Sequence, residues 1–417
     1  MTGPVSTPII FDVSSLIASA ARRTPNGVPR VELAYAKHLI KTVGERLSFV
    51  ATWGRFGRLM REPTLTLVET LDALWGGETP DPKLRAQAAE LGRRSRGSLL
   101  LRGHWWPDRT PADGNRPHYL IVSHATLERP RSLKWFKERT GANVICLIHD
   151  LIPIEYPELV RTGVPRRHHR RMTSVAQLAD TVIANSAATA AAFRRRFTTT
   201  GHRPPVLVAP LGIDLPQPVP TPQSVHRPYF VCVATIEPRK NHSLLLRVWE
   251  RLAAQLGRET PRLLLIGRRG WHGWEIVRTI DRLARDPVLA EFVEVHHRMP
   301  DRGVMQVLSG ACALLYPSWT EGYGLPVAEA LALGVPVLCS SLPALREVGR
   351  QVPEYLDPDD LSGWEEAILD YARKGSLRRQ AQLTRLAAWR APSWDEHFRR
   401  LQPLIEASPE VARRRHA

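Results

Sequence analysis

The stretch "PSWTEGYGLPVAEALALGVPV", Pro317 to Val337, sets two glutamates, Glu321 and Glu329, eight residues apart around a Gly-Tyr-Gly-Leu-Pro turn. On either side lie "CALLYPS" and "VPVLCSS", short apolar runs that read as buried strands. Gly322 and Gly324 keep the turn free of side chains, Pro326 suits the first helical position, and Gly334 followed by Pro336 stops the helix. The pattern predicts strand, glycine turn, helix, strand, with Glu321 on the loop and Glu329 in the first turn of the helix. Such a helix start offers bare N–H groups and a positive dipole end to an anion, and glycines let the anion approach closely. A carboxylate in the same place repels phosphate but can hold sugar hydroxyls. The blander reading makes Glu329 a surface residue that complements the helix dipole and Glu321 a solvated turn residue.

The same alternation fills the chain. "PIIFDVSSL", "LSFVATW", "HYLIVSH", "NVICLIHD", "DTVIANS" and "PVLVAPLG" are apolar runs ending in small or polar residues, with helical patterns such as "VELAYAKHLIKTVG" between them. Six prolines from Pro210 to Pro228 then interrupt any period and mark a linker. After it "YFVCVAT", "RLLLIG", "FVEVHH", "CALLYPS" and "VPVLCSS" restart the alternation. The expected fold class is α/β, two Rossmann-like doubly wound domains facing a cleft. Expected boundaries are 1–215 for the first domain, 216–228 for the linker, 229–390 for the second domain, 391–408 for a C-terminal helix crossing back, and 409–417 for a basic tail.

Composition is that of a globular chain: 417 residues, 43% hydrophobic and 24% charged. No apolar run approaches the ~18 residues that span a bilayer, and "MTGPVSTPIIFDVSSLI" lacks a basic leader region and cleavage site, so a cytoplasmic protein is expected. Each of the four cysteines sits in an apolar run, the pattern of buried reduced thiols, and no metal-ligand spacing appears. The net charge is +17, and it is uneven: residues 1–215 hold 31 Lys and Arg against 18 Asp and Glu, a net of +13, which leaves +4 for the rest. "RRSRGSLLLRGHWW" (Arg93 to Trp106), "RTGVPRRHHRRM" (Arg161 to Met172) and "FRRRF" (Phe193 to Phe197) concentrate it. A solvated basic face, an anionic membrane surface, a diphosphate-bearing substrate and nucleic acid all fit such charge, but no nucleic-acid-binding module is recognisable.

"EGYGLPVAE", with its E-x7-E spacing, resembles the signature of the retaining glycosyltransferases of family 4, which have the two-Rossmann GT-B fold. "NGVPRVELAYAKHL", "VICLIHDLIPIEYPE", "VIANS", "APLGID", "VATIEPRKN", "LLLIGRRGW", "GVPVLCSSLPALREVG" and "SWDEHFRRL" extend the resemblance from about Asp12 to about Leu401. It implies that Glu321 contacts the donor sugar's hydroxyls, that Glu329 holds the nucleotide ribose, and that the backbone of Gly322, Tyr323, Gly324 and Leu325 approaches sugar or phosphate. Arg239 and Lys240 would neutralise the diphosphate leaving group. The family often has a further arginine near "VAT", where this chain has Ala234 and Thr235, so Arg239 would serve instead. In the first domain Gly27 would let the diphosphate reach the backbone, with Arg30 near it, and His149 would touch the donor sugar. His124, Arg167 and Ser186 are acceptor-side candidates.

Other motifs carry less. "DPDD", Asp357 to Asp360, contains a D-x-D pattern, but before "LSGWEEAILDYARKG" it reads as a helix N-cap. "GRRGWHG", Gly267 to Gly273, has the wrong glycine spacing for a dinucleotide fingerprint and would flank the nucleotide base. The expectation is a metal-independent retaining hexosyltransferase without cofactor. It would move a hexose from a nucleotide sugar, GDP-mannose first and UDP-glucose second, to a lipid-linked or oligosaccharide acceptor in bacterial surface polysaccharide assembly. Polyprenyl-diphosphate is the expected carrier, met at the anionic inner-membrane surface. A GT-B sugar-nucleotide epimerase and a non-catalytic glycan-binding protein are the alternatives.

Overall fold

The computed structural model describes residues 7–25, 27–77, 81–102, 116–197, 203–215, 227–270, 275–283 and 286–406. Most of the proline-rich linker, the basic tail, Trp105, Trp106 and the end of "GRRGWHG" lie outside the described residues. The chain forms two compact units, one of Met1–Leu151, Arg166–Gly212 and Ser393–Ala417, the other of Ile152–Pro165 and Ile213–Pro392. The segment Ile152–Pro165 was expected in the first domain and belongs instead to the second unit. Its described elements are short helical turns, Ile152–Glu155 and Pro157–Leu159, with no strand to tie it into the first sheet.

Among the described residues the first unit is built on seven strands: β1 (Ile9–Asp12), β2 (Leu47–Trp53), β3 (Arg55–Arg58), β4 (His118–Ile121), β5 (Asn143–Ile148), β6 (Thr181–Ala184) and β7 (Val206–Val208). Their order is β3-β2-β1-β4-β5-β6-β7, and every pairing is parallel except β2 with β3. β1, β4 and β6 are buried throughout and β5 nearly so, as expected of parallel strands covered by helices on both faces. β3 was not anticipated: "RFGR" is too short and too charged to read as a strand, and Gly54, at φ 65°, turns the chain back to make it.

The described residues of the second unit form six strands, β8 (Tyr229–Val233), β9 (Arg262–Ile266), β10 (Val293–His296), β11 (Leu314–Tyr316), β12 (Val337–Ser340) and β13 (Glu354–Leu356), all parallel in the order β10-β9-β8-β11-β12-β13. Its core is closed by Phe230, Trp249, Trp364 and Tyr371, each almost wholly buried. The two indoles donate to the Pro261 and Asp357 carbonyls at 2.8 and 2.9 Å, so burying them strands no N–H. In each sheet the connection reverses direction once, between β1 and β4 and between β8 and β11. Loops at the carboxyl ends of such a strand pair form a crevice where α/β sheets bind ligands.

The C-terminal helix Trp394–Glu406 is part of the first unit. One ring nitrogen of His397 accepts from the Tyr35 hydroxyl at 2.6 Å, and the other donates to the Pro210 carbonyl at 2.9 Å. Both bonds need a neutral imidazole, and burial above all lowers its pKa to about 4. Gly212 permits the close docking, since a Cβ there would stand 2.2 Å from the Trp394 nitrogen.

Candidate active site

In the second unit the two strands beside the reversal each end in charged residues. After β8, the turn Pro238–Lys240 carries Arg239 and Lys240; after β11 the chain reaches Glu321. Neighbouring strands bring these positions, some eighty residues apart in sequence, into one ion network. Lys240 Nζ donates to Glu321 Oε1 and, at 2.7 Å, to the Tyr316 hydroxyl, while Arg239 Nη1 donates to Glu321 Oε2 at 3.1 Å. Arg239 Nε also pairs with Glu237 at 2.6 Å. Glu321 and Lys240 side chains are each only 7% exposed, which excludes the solvated-turn reading of Glu321. Burial alone raises a carboxyl pKa, but the Lys240 and Arg239 charges outweigh it and bring Glu321 down to about 2. Burial and Arg239 push Lys240 downward, against the pull of Glu321. A carboxylate of that acidity is a poor general base at neutral pH and a strong hydrogen-bond acceptor. The sequence points Glu321 at sugar and the two cations at diphosphate; that they pair with each other, and that Tyr316 and Glu237 complete the set, is visible only in the fold.

Past Glu321 the turn runs through Gly322 and the buried Tyr323 to Gly324, whose φ of 107° opens the helix Leu325–Ala332. Here the glycine is required twice: for that backbone angle, and because a Cβ would come within 2.5 Å of Leu345. Glu329 lies on the next turn of the helix, one turn later than expected, and is 5% exposed. The dipole-complementing surface role is thereby excluded.

In the first unit Gly27 starts the helix Gly27–Val43 with open space where a Cβ would stand, and Arg30 is the fourth residue of that helix. His149 follows β5. Its Nε2–H donates to the Val122 carbonyl at 2.8 Å, and its own carbonyl accepts from Asn185 at 2.9 Å. His124 stacks edge-on against both His149 and His168, with ring centroids 5.4 and 5.3 Å away. Burial, above all, lowers the pKa of all three rings. His168 was missed, because a histidine inside "RRHHRR" reads as part of a charge run. Ser186 is fully buried and its hydroxyl accepts from the Thr189 amide at 3.0 Å, the use of a helix cap for Ala187–Phe197. Arg167 is exposed on the helix Val164–Leu178.

The profile of the family described as "Glycosyl transferases group 1" matches residues 219–378, the part of the chain that holds Arg239, Lys240, Glu321 and Glu329. The chain carries a glycosyl transferases group 1 domain. Similar relatives include O-antigen chain mannosyltransferase B of Escherichia coli, 32% identical over 167 residues, which cover 40% of this chain and 42% of that protein. O-antigen chain mannosyltransferase RfbU of Salmonella typhimurium is 30% identical over 143 residues, 34% of this chain and 37% of that protein. The chain thus spans less than half the length of either relative. Anabaena Alr3699/HepE, solved in complex with UDP-glucose, aligns with 96% of this chain and all of its own at a TM-score of 0.62 and 14% identity. That likeness is one of fold, and the fold is GT-B.

Within the group 1 domain "DPDD" is a cap: Asp360 accepts from the Gly363 amide at 3.0 Å at the start of Leu361–Ala372, and Asp359 accepts from the Trp319 indole at 3.0 Å. Outside it, three arginines of the basic clusters are paired locally, Arg93 and Arg94 with Glu90 and Arg171 with Glu128. Among the described residues no helix is long and apolar enough to cross a membrane.

Proposed function

We propose that the protein is a retaining hexosyltransferase that transfers mannose from GDP-mannose, with UDP-glucose the second choice of donor, to a growing lipid-linked glycan in surface polysaccharide synthesis. The observation that carries this reading is the buried Glu321 carboxylate, held ionised by Arg239 and Lys240 at the carboxyl ends of β8 and β11. Both curated relatives named above are O-antigen mannosyltransferases, which supports the choice of mannose.

In this reading Glu321 accepts hydrogen bonds from donor-sugar hydroxyls and fixes the ring, while Glu329 holds the ribose. As a sugar diphosphate enters, Arg239 and Lys240 share their charge between Glu321 and the phosphates, and that share grows as the leaving group gains charge. Such differential stabilisation is what accelerates a reaction. With Glu321 too acidic to act as a base, the departing phosphate takes the acceptor's proton from the same face, which gives retention. Metal is not required, because side-chain cations do the neutralising. The polyprenyl-diphosphate carrier is met at the cytoplasmic face of an anionic membrane by the basic first unit.

Thermal unfolding with GDP, UDP, ADP and their sugars tests the donor assignment, since a ligand of the folded state stabilises it according to its affinity. GDP-mannose should raise the midpoint most. Equal midpoints with every nucleotide would sink the donor site.

A further inference from the structure

β5 ends at Ile148, so the carbonyls of His149 and Asp150 fall beyond its ladder and side chains satisfy them. The His149 carbonyl accepts from Asn185 Nδ2 at 2.9 Å and from Thr189 Oγ1 at 3.4 Å, on the chain that follows β6. The Asp150 carbonyl accepts from His168 Nε2 at 3.0 Å, on the helix Val164–Leu178. The His149 ring is held as well, because its Nε2–H donates to the Val122 carbonyl just past β4. His124 joins the rings of His149 and His168, edge-on to both.

Burying a histidine in this helix is costly. Its neighbours Arg166, Arg167, His169 and Arg170 are exposed, while His168 is only 3% exposed. A buried position that only packs is filled by an apolar side chain without desolvating a polar ring. Burial, above all, lowers the His168 pKa, which leaves a neutral imidazole with one N–H, and that N–H goes to the Asp150 carbonyl. His149 is neutral for the same reason, so its Nδ1 carries a lone pair. A ligand group that meets Nδ1 must then donate, as a sugar hydroxyl does and a phosphate oxygen does not. Two successive carbonyls and one ring are therefore pinned around a single residue, in a site where a 1 Å misplacement costs on the order of 100-fold in rate.

We propose that His168 is a positioning residue for His149: it holds the Asp150 carbonyl and, through His124, buttresses the ring, so that His149 meets the donor sugar in one orientation. The inference rests on the reading of His149 as a sugar contact. It adds to that site a residue of the basic helix, acting as a neutral support rather than as a charge.

Long-range nitrogen–proton NMR of the imidazoles, on the full chain without nucleotide, reads the His149 tautomer, and steady-state kinetics with GDP-mannose and a mannose-terminated acceptor reads its use. The wild type should show His149 protonated at Nε2. His168→Met and His168→Leu both remove the donor at similar volume, whereas His168→Gln keeps an N–H at similar reach. The first two should shift or broaden the His149 ring signals and lower kcat about tenfold with KM for GDP-mannose nearly unchanged, and His168→Gln should recover most of the rate. On the residual rate of His149→Ala, His168→Met should have no further effect, while a side chain that supports only the fold would cost the same factor in both backgrounds. Thermal unfolding certifies that each variant is folded, and either donorless variant suffices for the comparison. His149 signals that ignore the loss of the His168 donor, equal costs in the two backgrounds, or a Gln variant as slow as the Met variant would overturn the proposal. Ring signals that follow His168 in a protein that turns over no sugar nucleotide would uphold the positioning and overturn the glycosyltransferase reading instead.

Discussion

Glu321 was conspicuous in the sequence for its place in a glycine turn, and Arg239 and Lys240 for their place after a strand. What could not be read there is that one carboxylate satisfies both cations, because that depends on β8 and β11 being neighbours in the sheet. The pairing changes what substitution does. Glu321→Ala leaves Lys240 buried without its counter-charge, so a cost of about 3 kcal/mol in stability should accompany the loss of turnover. Glu321→Gln keeps the shape and should retain more stability while losing rate. Glu329→Ala should weaken nucleotide binding by roughly 1.5 to 3 kcal/mol, and Lys240→Ala should reduce both binding and rate. Denaturant unfolding alongside steady-state kinetics separates these effects; wild-type kinetics in all of the variants would refute the site.

At the scale of elements the apolar runs announce eleven of the thirteen strands among the described residues, since a strand covered on both faces has to be apolar along its length. The two that escaped, β3 and β13, are short and only partly buried, so burial leaves little pattern in them. The helix starts divide in the same way. Gly324 is required by its own backbone, at φ 107° with Leu345 against it, whereas Gly27 has open space. Gly324→Ala should therefore cost about 2 kcal/mol of stability with or without ligand. Gly27→Ala should fold as the wild type does and lose affinity only for the sugar diphosphate, if the phosphates approach that backbone. Paired thermal-unfolding and nucleotide-titration curves check both; full affinity in Gly27→Ala would remove Gly27 from the donor site.

For the whole molecule, the two-unit fold and the charge imbalance were legible in the sequence, but the state of the individual charges was not. Arg93, Arg94 and Arg171 have local carboxylate partners, while Arg166, Arg167 and Arg170 are exposed on one helix. Each arginine near an anionic leaflet contributes about 1 kcal/mol. Co-sedimentation with anionic vesicles should thus fall when these three are replaced by serine, and should weaken with salt; equal binding to neutral vesicles would contradict the membrane reading. Retaining, metal-independent transfer is tested by incubating the protein with GDP-mannose and a mannose-terminated acceptor, with and without EDTA, and reading the new anomeric centre by proton NMR. The expected result is an α-linked product, the configuration of the donor, formed at a rate that chelation leaves largely intact. A β-linked product, or activity abolished by EDTA and restored by manganese, would contradict it.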